Sequence, residues 1–273
     1  MADRYAVMGN PVAHSRSPRI HSLFARQTGQ DIEYTRILVE PGGFAAAVAG
    51  FLTQGGRGLN VTVPFKEDAW RLVHTRSPRA EHAGAVNTLV LDPDGRHHGD
   101  NTDGVGLVRD LRDNHGARLA GTRILLLGAG GAARGVLEPL LLERPALLVI
   151  ANRTADRAVE LARRFCSLGH TEGCGLPDVT GQHFDLIINA TAASLAGAVP
   201  AIDPGVITPH SWCYDMMYGN APTPFLQWAA RHGAGTALDG LGMLVEQAAE
   251  SFWLWRKVRP ATAPVIAALR ENH

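Results

Sequence analysis

The chain has 273 residues, 45% of them apolar, enough for one large domain or two modest ones with a real core. Lys plus Arg and Asp plus Glu both total 26, so no net charge draws it toward nucleic acid or an anionic membrane. Cys166, Cys174 and Cys213 are scattered, without metal-like spacing, and read as reduced thiols of a cytoplasmic protein; no apolar leader, membrane-length run or internal repeat is visible.

Strand-like and helix-like segments alternate from the start. "RYAVMG" reads as a strand, followed by the turn "GNPVAHSRSP". "SPRIHSLFARQTG" then reads as a helix with Ser17 at N-cap, Pro18 at N1 and Gly29 as its stop. Ser15, Ser17 and His14 in that turn leave three readings open: reacting, capping or holding a ligand. "IEYTRILVE" is a strand, "GGFAAAVAGFLTQGG" a helix, "GLNVTVP" a strand and "FKEDAWRLV" a helix. Lys66 in that helix is one of only two lysines, with Lys257, among the 26 cations. "AGAVNTLVLDPDGRHHGD" reads as two strands around a DPDG turn, completing an α/β unit over residues 1–102.

A second unit, 103–237, opens with the helix "GVGLVRDLRDN". Strands follow at "TRILLL", "ALLVIANRT", "FDLIINAT" and "SWCYDMMY", with helices at "GGAARGVLEPLLLE", "ADRAVELARRFCSL" and "TPFLQWAARHG". The strands are near-continuous apolar runs, as expected of parallel strands covered on both faces. Pro139 is expected to kink or shorten its helix. The tail, 238–273, is two helices; the first is apolar around much of its girth and is expected to return to the first unit, leaving a cleft between two lobes.

"ILLLGAGGAARG" places Gly128, Gly130 and the small Ala133 between a strand and a helix. That spacing suits a tight turn, a close approach to pyrophosphate and an anion on the helix N-terminus, as in Rossmann-type domains. An NAD site of this kind carries an acid about 20 residues on. Here the next strand ends at Asn152-Arg153-Thr154, with Arg157 one turn later. A carboxylate would repel a 2′-phosphate, whereas Arg153 offers it a fork, so NADP is the expected cofactor.

The motifs "GNPVAHSRSP", "NVTVPFK", "GAVNT", "DNTDG", "GAGGAARG", "NRT", "YDMMYG" and "DGLGMLVEQAA" resemble, in order and across nearly the whole chain, those of shikimate dehydrogenases. The resemblance implies an NADP-dependent, reversible reduction of 3-dehydroshikimate to shikimate, on the route to chorismate and the aromatic amino acids. It implies that Ser15 and Ser17 hold the substrate carboxylate, that Thr62, Asn87 and Asp103 bind ring hydroxyls, and that Asn60 lines the pocket. Lys66 and Asp103 become a catalytic pair sharing a proton, and Tyr218 and Gln247 close on the substrate. The implied cofactor set is Gly128, Ala129, Gly130, Gly131, Ala132, Asn152, Arg153, Thr154, Arg157 and Thr191, with Met216 and Gly240 by the nicotinamide. No metal is implied, nor any partner beyond the small molecules and a second copy, as monomer or homodimer. His14 is read as structural. "NATAASLAG" departs from the family pattern, carrying Ser194-Leu195 where a glycine is usual.

Three rivals stand beside this reading. A relative oxidising quinate or another analogue is disfavoured by the paired serines and by Ala155, where a dual-cofactor relative would carry an acid. A non-catalytic NADP-binding module would be expected to lack Lys66 or Asp103. A serine hydrolase would need an acid to orient His14 and an oxyanion hole, and neither is recognisable.

Overall fold

The computed structural model describes residues 2–92 and 94–271, so Pro93 of the DPDG turn lies outside it. The chain divides into two compact units, 1–106 with 245–273, and 107–244. It passes from one to the other inside helices rather than loops. That is why limits read from loop punctuation, at 102/103 and 237/238, fall a few residues short of these.

Unit 1 contains β1 (Asp3–Gly9), α1 (Ser17–Thr28), β2 (Ile32–Leu38), α2 (Phe44–Thr53), β3 (Gly56–Val61) and α3 (Lys66–Leu72). The short β4 (Thr75–Arg76), α4 (Pro78–Ala83), β5 (Thr88–Leu91) and β6 (His97–Asp100) follow, and α5 (Asp103–Arg109) begins here. The sheet runs β2-β1-β3-β5-β6-β4, parallel through its first three strands and antiparallel at the β5–β6 hairpin. Alternation along the strands sorts the two faces. Ala6, Met8, Leu59, Val61 and Leu89 pack with Phe44, Phe51 and Phe65 of the α2–α3 side. Tyr5, Tyr34 and Asn60 serve the other face, where they meet α1 and the C-terminal helices.

Unit 2 contains the rest of α5, a π-helical turn at Asp110–Asn114, β7 (Arg123–Leu127), α6 (Gly131–Leu142), β8 (Leu147–Asn152), α7 (Ala155–Phe165) and β9 (Thr171–Gly175). After these come β10 (Leu186–Asn189), β11 (Trp212–Asp215), α8 (Pro224–Arg231) and β12 (Thr236–Asp239). All six strands are parallel, in the order β12-β11-β10-β7-β8-β9. This is the order of doubly wound dinucleotide-binding sheets, with its topological switch between β7 and β10. Ile124 and Leu126 feed one core layer, Leu125 and Leu127 the other. α6 is not shortened at Pro139; it runs on to Leu142 with the proline buried, forgoing a ladder bond near its end.

α9 (Leu241–Arg256) starts in unit 2, and its residues from 245 on belong to unit 1, as does α10 (Ala263–Arg270). There Trp255 donates its indole N–H to the Leu89 carbonyl at 2.9 Å and stacks on Tyr5. Among the described residues no helix is long and apolar enough to cross a membrane, and no cluster of three His, Cys, Asp or Glu is arranged to hold a metal.

Candidate functional site

In unit 1 the candidate residues converge from four elements. Lys66 opens α3 just past the end of β3, and Asp103 opens α5 just past β6. Lys66 Nζ donates to Asp103 Oδ2 at 2.5 Å, with side chains 27% and 12% exposed. The second carboxylate oxygen accepts the Asn87 amide at 2.7 Å, which leaves Asp103 held from both sides. Asn87 also receives the Thr88 hydroxyl (2.9 Å) and the Thr102 amide (2.9 Å) on its oxygen. Its amide nitrogen donates as well to Gln247 Oε1 on α9, at 3.4 Å. Side-chain amides paired on both their nitrogen and their oxygen hold a defined geometry, because an unmet buried bond would cost desolvation without return.

Asn60 sits beneath this cluster, 6% exposed. Its amide donates to Ser251 Oγ and Thr88 Oγ1 at 3.0 and 3.2 Å, and its oxygen accepts the Tyr34 hydroxyl at 2.7 Å. Burial raises the Tyr34 hydroxyl above its ordinary titration range, so it remains a donor. Asn60 thus supports Asn87 and Thr88 from below. Thr62, beyond the end of β3, packs its methyl where a Cβ on Gly9 would stand, only 2.3 Å away. Glycine at position 9 is therefore a packing requirement of Thr62.

Behind the cluster lies a buried ionic brace. Asp100 accepts Arg79 at 2.7 and 2.6 Å and also accepts the Ser77 hydroxyl, while the same Arg79 donates to Glu250 on α9 at 3.1 Å. Asp100 caps the Asn101 amide at 2.7 Å, and Asn101 in turn caps that of Asp103 at 3.2 Å. The brace anchors the strand end that carries Asp103.

Ser15 and Ser17 lie together in the opening turn, Oγ to Oγ 3.2 Å. The expected N-cap role of Ser17 is corrected: α1 begins at Ser17, and Arg16 occupies the cap position without a capping bond from its own side chain. The hydroxyl of Ser15 instead accepts the Ser17 amide at 3.3 Å. His14 is exposed and bonds neither serine, so no nucleophile–base pair forms.

In unit 2 the glycine turn lies at the C-terminal end of β7, at the switch point. Gly128 adopts φ +107°, closed to residues with a Cβ, and one there would stand 3.1 Å from Thr191 at the end of β10. Gly130 precedes α6 with open space in front of it, and α6 has no side-chain cap. Gly131 and Ala132, beside Ala129, open α6, where the first amides have no intrahelical partner, and such a helix start suits a pyrophosphate. At the tip of β8, Asn152 donates to the Thr154 carbonyl at 2.9 Å. Arg153 is exposed and makes no hydrogen bond or ion pair among the described residues; Thr154 and Arg157 are exposed beside it. The donor set, the guanidinium groups of Arg153 and Arg157 without a side-chain partner among the described residues and with no acid at the strand tip, fits a 2′-phosphorylated ribose.

β11 ends at Asp215, so Met216 and Tyr218 lie in the turn beyond it and not on a strand. Gly240 packs so closely that a Cβ would stand 2.3 Å from the Met216 carbonyl oxygen. Buried Asp215 gathers this end of the unit: it accepts Ser194 Oγ at 2.6 Å, Thr223 Oγ1 at 2.6 Å, the Asn189 amide at 3.1 Å and the Met217 amide at 3.1 Å. The unusual Ser194 is accommodated as a tether to that carboxylate; the side chain of Leu195 lies outside the description.

Sequence reasoning missed Tyr34, Thr88, Thr102, Ser251 and Asp215 as parts of these networks. Thr102 sits inside "DNTDG", and Ser251 lies one helical turn after Gln247, a spacing that would have found it. Nothing local marks Tyr34, whose partner is 26 residues away.

Three family models match in chain order: a shikimate dehydrogenase substrate-binding domain over residues 7–89, a shikimate/quinate 5-dehydrogenase domain over 110–197, and a shikimate 5′-dehydrogenase C-terminal domain over 240–270. The chain is 58% identical over 272 residues to a shikimate dehydrogenase (NADP(+)) of Nitrosococcus oceani, covering 100% of this chain and 96% of that one. Its fold is similar to the crystal structure of an Ael1 enzyme from Pseudomonas putida, at TM-score 0.93, 44% identity and 98% coverage of both chains. A Thermus thermophilus shikimate 5-dehydrogenase solved with NADP(H) and shikimate gives TM-score 0.87 at 31% identity, covering 98% of this chain and 99% of that one. The bonded Lys66–Asp103 pair, the glycine turn at the sheet's switch point and these full-length matches agree: the chain belongs to the shikimate dehydrogenase family.

Proposed function

We propose that this protein catalyses the reversible, NADP-linked reduction of 3-dehydroshikimate to shikimate. The observation that carries the reading is the 2.5 Å Lys66–Asp103 pair, held rigid by Asn87 inside unit 1. When bound, NADPH would supply the hydride that reduces the carbonyl carbon, being oxidised to NADP⁺. Lys66, as the ammonium, gives its proton to the carbonyl oxygen in that same step, so the product is the neutral alcohol. In the oxidative direction the pair takes the hydroxyl proton back, with Asp103 stabilising the ammonium that results. Asn87 and Thr62 orient the ring hydroxyls with Asp103, and Ser15 and Ser17 bind the carboxylate through neutral hydroxyls. Tyr218 and Gln247 contact the substrate, and Asn60 underpins Asn87.

On the cofactor side, the turn from Gly128 to Ala132 receives the pyrophosphate on backbone amides. Asn152, Arg153, Thr154 and Arg157 take the adenosine ribose and its 2′-phosphate, while Thr191, Met216 and Gly240 border the nicotinamide. The same reading places the protein in the cytoplasm as a monomer or homodimer.

The test is the absorbance of reduced cofactor when purified protein meets shikimate or quinate, each with NADP⁺ and with NAD⁺. Strong signal for shikimate with NADP⁺ alone is the expected result. Preference for quinate or NAD⁺ would keep the chemistry and overturn the pocket or ribose assignment. No signal in any pairing, with NADP⁺ still binding, would favour a sensor over an enzyme.

A further inference from the structure

Away from the Lys66 cluster, unit 1 holds a cation with unusual partners. Arg36 lies on β2, the edge strand of the first sheet, paired in register with Val7 of β1. Its Nε and Nη2 both donate to the backbone carbonyl of Ser15, at 3.0 and 2.6 Å. Among the described residues it makes no ion pair, although Glu33 and Glu40 flank it on the same stretch of chain. A long, exposed side chain gives up much rotamer freedom to be held this way, and a single backbone oxygen is a modest return. Three of its five N–H donors stay uncommitted.

The residue it holds is the informative part. Ser15 presents its hydroxyl 3.2 Å from that of Ser17, and Arg36 grips the carbonyl of that same serine. Two neutral hydroxyls can hydrogen-bond a carboxylate, yet they leave its charge uncompensated, and withdrawing an uncompensated anion from water is costly. Lys66 cannot serve, since its charge is matched by Asp103. Arg16, in the serine turn, already has partners of its own. Arg36 is the cation whose charge is unmatched and whose position is tied to the serine pair.

We propose that Arg36 is a positioning and specificity-determining residue: it fixes Ser15 through the carbonyl and supplies the positive potential that favours a carboxylate substrate over a neutral analogue of the same ring. The inference rests on the reading that Ser15 and Ser17 hold the substrate carboxylate.

Arg36→Gln separates the two contributions, because glutamine keeps an N–H for the Ser15 carbonyl and loses the charge; Arg36→Lys keeps the charge and loses the fork. The probes are shikimate and its uncharged methyl ester, each at saturating NADP⁺. Where the ester turns over too slowly, its competitive inhibition constant against shikimate replaces kcat/KM. Arg36→Gln should lower kcat/KM for shikimate about tenfold, mainly through KM, and change the ester less than about twofold. Arg36→Lys should stay within about threefold of wild type on both. The wild-type KM for shikimate should also rise as salt goes from about 0.01 to about 0.3 M, more steeply than in Arg36→Gln. Equal losses on acid and ester would overturn the proposal and leave Arg36 a scaffold for the turn; so would a wild-type KM indifferent to salt, which needs no variant to fold. Wild-type protein that turns over neither compound would instead overturn the reading of the site beneath it.

Discussion

In unit 1 the candidate groups are bonded to one another: Lys66 to Asp103, Asp103 to Asn87, Asn87 to Thr88 and Gln247, Asn60 to Ser251. In unit 2 the corresponding surface is open backbone at Gly130 with Arg153 and Arg157, whose guanidinium groups have no partner among the described residues. The difference follows from what each must recognise. A small polyhydroxylated ring offers few atoms, so its site gains from side chains whose geometry is set in advance. A dinucleotide carries its own charge and length, and amides at a helix start with a guanidinium pair suit it.

The largest expected effect lies in the prebuilt cluster. Lys66→Ala should lower kcat roughly 10³-fold while shikimate affinity, by calorimetry on the NADP⁺ complex, changes less than about threefold. A parallel fall in binding and turnover would make Lys66 a binding residue only. Lys66→Arg should be nearly as poor, since guanidinium holds its proton across the working range.

In the open half, Arg153→Ala should weaken NADP⁺ by about 2 kcal/mol, roughly 30-fold, and leave NAD⁺ unchanged. Fluorescence titration with both cofactors decides it; equal losses would remove the 2′-phosphate from the assignment.

Acid should breach unit 1 through His21, fully buried and stacked on Tyr34 at 4.2 Å. Burial lowers its pKa to about 3, opposed by nearby Asn60, although neither ring nitrogen reaches hydrogen-bond geometry. The unfolded chain binds that proton near pH ~6.5, so stability is full above that value and falls as pH drops toward 3. The loss should reach about 2 kcal/mol by pH 5. In His21→Phe, urea melts at pH 7.5 and pH 5 should differ by that much less; an unchanged difference would mean another group controls the acid limb.

The smallest effect is expected at Ser194. Ser194→Ala removes one of four donors to Asp215, which keeps Thr223, Asn189 and the Met217 amide. Unit 2 should lose about 1 kcal/mol, read from the urea midpoint, with a few-fold weaker NADP⁺. A loss above about 3 kcal/mol would show that Asp215 depends on Ser194 far more than its other bonds imply.

The sequence carried the parts whose chemistry is local. The glycine turn after β7, the acid-free tip of β8 and the apolar strands could be read directly, because backbone conformation and periodicity are written in neighbouring residues. β9 and β12 escaped because "TEGCG" and "TALD" lack the apolar run that marks a buried strand. The pattern predicts too long a β11, since "DMMY" continues the apolar run after the strand itself has stopped at Asp215. Ser17 carries the usual capping signature, "SP" before an apolar helix, and only the fold shows it inside α1 with Ser15 in hydrogen-bond contact. The Tyr34–Asn60 bond and the Arg79 brace join elements far apart in the chain, and no local pattern encodes them.

The near absence of lysine also gives this protein an unusual chemical transparency. An amine-directed acylating reagent has two side chains to find: Lys66 against Asp103, and Lys257, whose ammonium lies 5.2 Å from the centre of the Trp253 ring. Only an unprotonated amine reacts. The acylation rate of Lys66, with Lys257 as an internal standard, therefore reports how reactive the amine beside Asp103 is, and does so by mass spectrometry on the unmodified sequence.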